Sequence, residues 1–256
     1  MNLYIKLIRT TFTFACLCHI LLLSMSALAI DETESLRQRS QDKPHFTNIS
    51  LNLSGKSGNS ETENYSYGLY HSLRKEQHFT FVMLSREYAT SFDVESANNS
   101  FAHIRYNYYF EPNQSIEVYA QTNEDNFRSL ESRKLFGFAY RREVSKAQAF
   151  GIGTFTEHED YLVNDAPISF DQTRVNLYWV YSKQLKDDAF ISNTLYYQPN
   201  IEEISDWRAY NKLSITTELT EHIAMEFNLL VEHDSMPVLD VEQTDISYGA
   251  GFKVAF

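Results

Sequence analysis

The feature that most constrains this chain is the spacing of its breaks. Strand-like segments read over Phe46–Gly55, Asn64–Leu73, His78–Tyr88, Ser100–Phe110, Ser115–Asn123, Lys134–Val144, Ala149–Glu159, Thr173–Gln184, Ala189–Gln198, Trp207–Leu219, Ile223–Glu232 and Asp245–Phe256. The connections between these twelve segments alternate strictly in length. Arg74–Gln77, Glu111–Gln114, Ser145–Gln148, Leu185–Asp188 and Thr220–His222 are tight and polar. Lys56–Glu63, Ala89–Asn99, Glu124–Arg133, Asp160–Gln172, Pro199–Asp206 and His233–Thr244 are longer. A soluble sandwich has no reason to keep such alternation. An up-and-down barrel spanning an outer membrane does, because its turns are short on one side and its loops longer on the other.

Side-chain period gives the same answer. In the fourth segment Ala102, Ile104, Tyr106, Tyr108 and Phe110 share one face, and His103, Arg105 and Asn107 the other. The sixth, eighth and eleventh segments set Phe136, Phe138 and Tyr140, then Val175, Leu177 and Trp179, then Met225, Phe227 and Leu229 against polar or small neighbours. Period two places each set on one face of a strand. Most segments approach the ~9–11 residues a tilted strand needs to cross a bilayer. Mean hydropathy is low, at -0.39, as expected where half of each strand faces a polar interior. The expected fold is therefore an all-β transmembrane antiparallel up-and-down barrel of about twelve strands, over residues 46–256, with short periplasmic turns and longer external loops.

The start of the chain reads as an export signal over residues 1–29. Lys6 and Arg9 precede an uncharged apolar run, Phe12–Met25, and Ala27-Leu28-Ala29 supplies a small-x-small cleavage site before Ile30. Cys16 and Cys18 both fall in that run, without a lipoprotein context, so the mature chain is expected to hold no cysteine, disulfide or thiolate ligand. Residues 30–45 lack a hydrophobic period and read as a periplasmic lead-in, mobile or tucked into the lumen. The net charge of -12 becomes more negative once Lys6 and Arg9 are removed, which argues against a nucleic-acid partner.

A Lys or Arg on a lipid-facing surface at mid-membrane costs about 2–4 kcal/mol, so charged residues within the segments belong inside. Alternation assigns His103, Arg105, Glu117, Arg141, Arg174, Arg208, Lys212, Glu218, Glu226, Glu232 and Lys253 to the lumen. Two readings of this set stand side by side: a paired, hydrogen-bonded plug, or a narrow hydrophilic pore for small solutes or ions, with Arg105, Arg174 and Arg208 setting charge preference.

Catalytic chemistry finds little support. His71 and Ser72 put a base beside a nucleophile, but strand neighbours point to opposite faces, and there is no Gly-x-Ser-x-Gly elbow. Glu157-His158-Glu159-Asp160 and Glu232-His233-Asp234 carry divalent-cation ligand types without the spacing of a known calcium or zinc site. Asp187-Asp188 and Glu202-Glu203 read as solvated turns, and Gly151-x-Gly153 as close packing on a strand. No enzyme activity, cofactor or metal is expected; an outer-membrane lipid-modifying enzyme is the weaker alternative.

Two resemblances add to this. Tyr248, Phe252, Val254 and terminal Phe256 resemble the closing strand of bacterial outer-membrane barrels, which implies recognition by the barrel-assembly machinery, an outer-membrane location in a Gram-negative envelope and lipid as the surrounding partner. The last segment is then expected to pair with Phe46–Gly55. Tyr196-Tyr197-Gln198-Pro199, Ser205-Asp206-Trp207-Arg208, Glu232-His233-Asp234-Ser235-Met236-Pro237 and, earlier, Phe136-Gly137-Phe138-Ala139-Tyr140-Arg141 with Gly151-Ile152-Gly153 resemble the salt-induced outer-membrane protein family. That resemblance covers Phe46 to the end, with Trp207 where Tyr is more usual. It implies a barrel without assigned activity and a link to salt or osmotic response, and it supplies no catalytic residues.

Overall fold

Each strand alternates because each separates two environments. The computed structural model describes residues 33–254 apart from 59–60, 187, 221–222 and 240, so the predicted export signal and Phe256 lie outside the described residues. A short helix, α1 (Thr33–Ser40), precedes twelve strands. They are β1 (His45–Lys56), β2 (Thr62–Lys75), β3 (His78–Ser91), β4 (Val94–Glu111), β5 (Gln114–Asp125), β6 (Leu130–Ser145), β7 (Gln148–Val163), β8 (Ala166–Lys186), β9 (Ala189–Pro199), β10 (Trp207–Glu218), β11 (Ile223–Asp234) and β12 (Thr244–Val254). Every strand pairs antiparallel with its neighbours in sequence order, in one sheet from β1 to β12. This is the expected all-β up-and-down barrel architecture.

The sheet curls until opposite walls touch. Tyr178 on β8 reaches Glu117 on β5, and Arg208 on β10 reaches Glu159 on β7. Along β7 and β8 the inward side chains (Phe155, Glu157, Glu159, Arg174, Asn176, Tyr178) are buried. The outward ones stay exposed although apolar, with Ile152 at 58%, Phe150 at 47% and Leu177 at 37%. The expected ladder between β12 and β1 is not among the described pairings, which end at β11–β12. Ile49, Leu51 and Leu53 on β1 are correspondingly exposed.

Three of the six long connections differ from expectation, that between β5 and β6 shrinking to residues 126–129 with a 3-10 turn over Asn126–Arg128. β3–β4 and β7–β8 are extended hairpins with two-residue tips, Phe92-Asp93 and Asn164-Asp165, all four residues at positive φ. Paired left-handed residues at a hairpin tip match the strand twist. Neither tip contains the glycine that usually marks such a turn, so the sequence reads as loop where the strands in fact continue.

Glycines thin one wall so that tyrosines can cross the interior. A Cβ on Gly151 would fall within the Tyr178 ring, and one on Gly153 would meet the backbone of β6. Gly137 makes room for Tyr119 and Phe155 in the same way. Replacing Gly151 by Val should displace Tyr178 and lower unfolding stability by about 1–3 kcal/mol, the usual cost of overpacking. Gly249→Ala, where a Cβ meets nothing within 4 Å, should be close to neutral. Denaturant titration of the refolded protein in detergent checks both.

Candidate functional site

The interior holds two charge networks with a chamber between them. The first lies toward the short turns and is organised by α1, which sits inside the barrel with Glu34, Arg37 and Ser40 buried. Arg37 Nη1 donates to Glu117 Oε1 at 2.7 Å, and Nη2 to the Tyr109 hydroxyl at 2.9 Å. Ser40 Oγ shares a 2.9 Å hydrogen bond with the Tyr70 hydroxyl. Arg141 pairs with Glu34 at 3.1 Å. Glu117 also accepts from Arg105 at 3.3 Å and from the Tyr178 hydroxyl at 2.8 Å. Each cation thus faces a carboxylate, which is what makes burial of charge tolerable. Rings from the barrel wall add to this, with the Arg37 guanidinium over Phe79 and that of Arg105 over Tyr119.

The second network lies toward the long connections. Glu157 sits between Arg133 at 2.6 Å, Arg174 at 2.6 Å and Arg208 at 3.4 Å. Glu159 takes Arg208 at 2.5 Å and Arg133 at 3.2 Å. Arg174 continues to Asp206 at 2.9 Å, and Arg208 to Asp234 at 2.8 Å. Asp206 also accepts from Asn200 Nδ2 at 3.1 Å, which binds the 200–206 connection to the wall.

Between the networks is a chamber of about 190 Å³. Its floor is His103, Arg105, Tyr119, Asn176 and Tyr196, and its sides include Phe101, Gln121, Asn123, Phe155, Gln198 and Tyr210. Its roof comes from the connection between β11 and β12, which contributes Pro237, Val238 and Val241. Val238 packs against Leu130, Tyr161 and Val163 on the opposite wall. Arg128, after β5, pairs with Glu232 at 3.4 Å and Asp245 at 3.8 Å, fastening the same roof from the other side.

Most of the residues assigned to the lumen by alternation point there. His103, Arg105, Glu117, Arg141, Arg174, Arg208 and Glu226 are all buried. Arg105, Arg174 and Arg208, the three read as setting pore selectivity, are each paired with carboxylates. His103 is held by Gln121 and Arg105, and Glu226 accepts from Thr216 and Asn228. Lys212 is half-buried on the face of β10 that carries Arg208, whereas Glu218 is exposed at the strand end. The side chains of Phe252, Lys253 and Val254 lie outside the described residues; Tyr248 is outward and exposed.

Alternation missed the partners. Arg133 fell in a connection, Asp206 and Asp234 lay next to turns, and α1 carries no hydrophobic period to announce it. Glu157-His158-Glu159-Asp160, weighed as a cation site, is divided by its strand: Glu157 and Glu159 are buried among arginines, while His158 and Asp160 face outward. Glu232-His233-Asp234 divides likewise, with His233 stacked on Trp207 at 4.5 Å outside. Among the described residues no group of three or more His, Cys, Asp or Glu is placed to hold a metal ion. Ser72 is buried inside while His71 bonds Thr47 on the outer face, so the two do not form a catalytic pair.

Two consequences can be measured. Removing one acid from a buried network leaves charge uncompensated, so Glu157→Gln should cost about 3–5 kcal/mol of unfolding stability, whereas Glu124→Gln, on an exposed pair, should cost under ~1 kcal/mol. Beyond the first ten or so residues of β7 the outward face turns polar, where His158 bonds Asp171 at 2.8 Å and lies 3.3 Å from Asp160. The bond to Asp171, helped by the Asp160 charge, raises the His158 pKa above its ordinary value. Any stability from this group is complete below the unfolded-state pKa and is lost as pH rises through the folded one. NMR titration should find His158 raised in the wild type and lowered in Asp171→Asn.

A family model described as "Protein of unknown function, DUF481" matches residues 49–256. No curated protein matches. Among solved structures, a NanC porin is 13% identical, with a TM-score of 0.49 over 82% of this chain and 99% of its own. The translocator domain of the autotransporter NalP from Neisseria meningitidis is 10% identical, with a TM-score of 0.38 over 83% and 87%. A Pseudomonas aeruginosa FadL homologue is 8% identical, with a TM-score of 0.35 over 82% and 72%.

Proposed function

The chain belongs to this DUF481 family of proteins of unknown function, and from that premise we propose that it is a non-enzymatic bacterial outer-membrane barrel, closed at rest and at most weakly pore-forming. The observation that carries the closed state is the pairing of Arg105, Arg174 and Arg208 across the interior, with α1 seated beneath them. A conducting pore needs charged groups that face water; these face one another.

The membrane setting is supported by the outer surface. Tyr67, Ile104, Phe138, Ile152, Leu177 and Tyr248 are exposed on six different strands, a larger apolar belt than soluble monomers leave open. In this reading the belt contacts outer-membrane lipid, residues 1–29 direct export, and Tyr248, Phe252, Val254 and Phe256 present the last strand to the assembly machinery. A role in salt or osmotic response rests on the family resemblance over residues 46–256 alone. The second reading, a small-solute channel, is favoured by the chamber, which a gated pathway would contain.

Planar-bilayer recording separates these readings. The wild type should show few or no discrete openings. Arg37→Ala, which removes the bonds from α1 to Glu117 and Tyr109, should raise open probability at least tenfold. Frequent, stable openings in the wild type would establish the channel instead.

A further inference from the structure

The chamber itself has a chemistry that the closed-barrel reading does not use. Its arginines are already paired: Arg105 with Glu117, Arg133 and Arg208 with Glu159, Arg208 with Asp234, and Arg128 with Glu232. Glu124 and Asp125, which also line it, accept from Ser100 Oγ and the Phe127 amide. An ionic ligand would have to compete with these contacts and be desolvated, at a cost that a neutral ligand avoids. Two uncharged donors are left open. The Tyr210 hydroxyl and the Asn123 amide Nδ2 have no hydrogen-bond partner among the described residues.

Beside these polar groups lie flat apolar faces. Phe101 stacks on His103 with an interplanar angle of 3°, and His103 on Tyr119 with 21°; Phe81 also stacks on His103 and Arg105 lies over Tyr119, so Phe101, at the end of the pile, is the ring with a face left over. His103 is pinned at both nitrogens, by Gln121 at 3.2 Å and by Arg105 at 3.3 Å. Asn176 Nδ2 donates to the Tyr119 hydroxyl at 2.9 Å and receives Gln198 Nε2 on its own oxygen at 3.1 Å, which fixes the floor. The surfaces are therefore set before a ligand arrives, which lowers the ordering cost of binding. At about 190 Å³ the chamber is smaller than the ~300 Å³ at which drug-sized pockets begin. It suits one ring.

We propose that the chamber is a binding site for a neutral monosaccharide, its ring face lying on Phe101 and its hydroxyls meeting Tyr210 and Asn123. Contact with Phe101 uses the apolar ring face, and the amide and phenol groups supply donors and acceptors to hydroxyls. The proposal rests on reading the chamber as the site of a closed barrel, but it does not need the barrel to conduct.

The test is titration calorimetry on the full chain refolded in detergent, with folding of each variant checked by its heat-dependent gel mobility. The probes are glucose, galactose and N-acetylglucosamine, against glucuronate and glucosamine as charged analogues. At least one neutral sugar should bind saturably and at least tenfold more tightly than either charged analogue. The double variant Tyr210→Phe with Asn123→Ala should weaken it about tenfold, the loss expected for two hydrogen bonds. Phe101→Ala should weaken it similarly. No saturable binding by any of the three neutral sugars overturns the proposal, as does equal binding of a charged analogue or unchanged affinity in folded variants. A silent bilayer recording with sugar binding, or the converse, keeps the two readings separate.

Discussion

The rest of the structure depends on the need to match charge inside a sheet curled until its opposite walls touch. Half of every strand points inward, and that half carries arginines and carboxylates that no longer have bulk water to solvate them. Glu117 and Glu157 are the points where the requirement is met. Each is fully buried and each takes ligands from three separate elements: α1, β4 and β8 for Glu117, and β6, β8 and β10 for Glu157. These contacts span several strands, so they hold the curvature of the sheet as well as its neutrality. Coulomb attraction does not make such an interior more stable than an apolar one would be. It makes the arrangement specific, because a slip of one residue in register would turn a carboxylate outward.

The division of labour between faces follows from the same alternation. His158 sits between Glu157 and Glu159 in sequence and shares nothing with them in space. A cluster of four ligand-type residues on a strand is two pairs on two surfaces. The inner pair belongs to the arginine network, and the outer pair to a polar rim with Asp171 and Ser169. Small residues complete the scheme: without Gly137, Gly151 and Gly153 the tyrosines that carry hydrogen bonds across the interior would have no room.

The strand count, the order of pairing and the inward face were legible because they depend on a period, and a period survives in sequence. The partners were not, because alternation assigns a side chain to a face without saying what stands opposite. Arg105 reads as a lumen residue; that it meets Glu117 from the next strand and lies near Glu34 from α1 depends on the curvature of the whole sheet. Helix α1 was hidden for a different reason. TESLRQRS has Leu36 as its single apolar residue, too little for a hydrophobic period, and so polar a helix is predicted only when its surroundings are known to be polar too. The hairpin tips Phe92-Asp93 and Asn164-Asp165 were missed because they adopt left-handed turns without glycine.

The connection between α1 and β1 sets how far the helix can travel. Four residues, 41–44, join Ser40 to His45, and a fully extended chain of that length reaches roughly 14 Å. The Pro44 carbonyl is itself fixed by the Arg74 amide at 2.8 Å. A helix pulled free of Glu117 would therefore stay within one barrel radius or so of its seat, at a local concentration on the order of millimolar or above. Its return would be a first-order event, insensitive to the amount of protein in the membrane, and any open interval would be brief by construction.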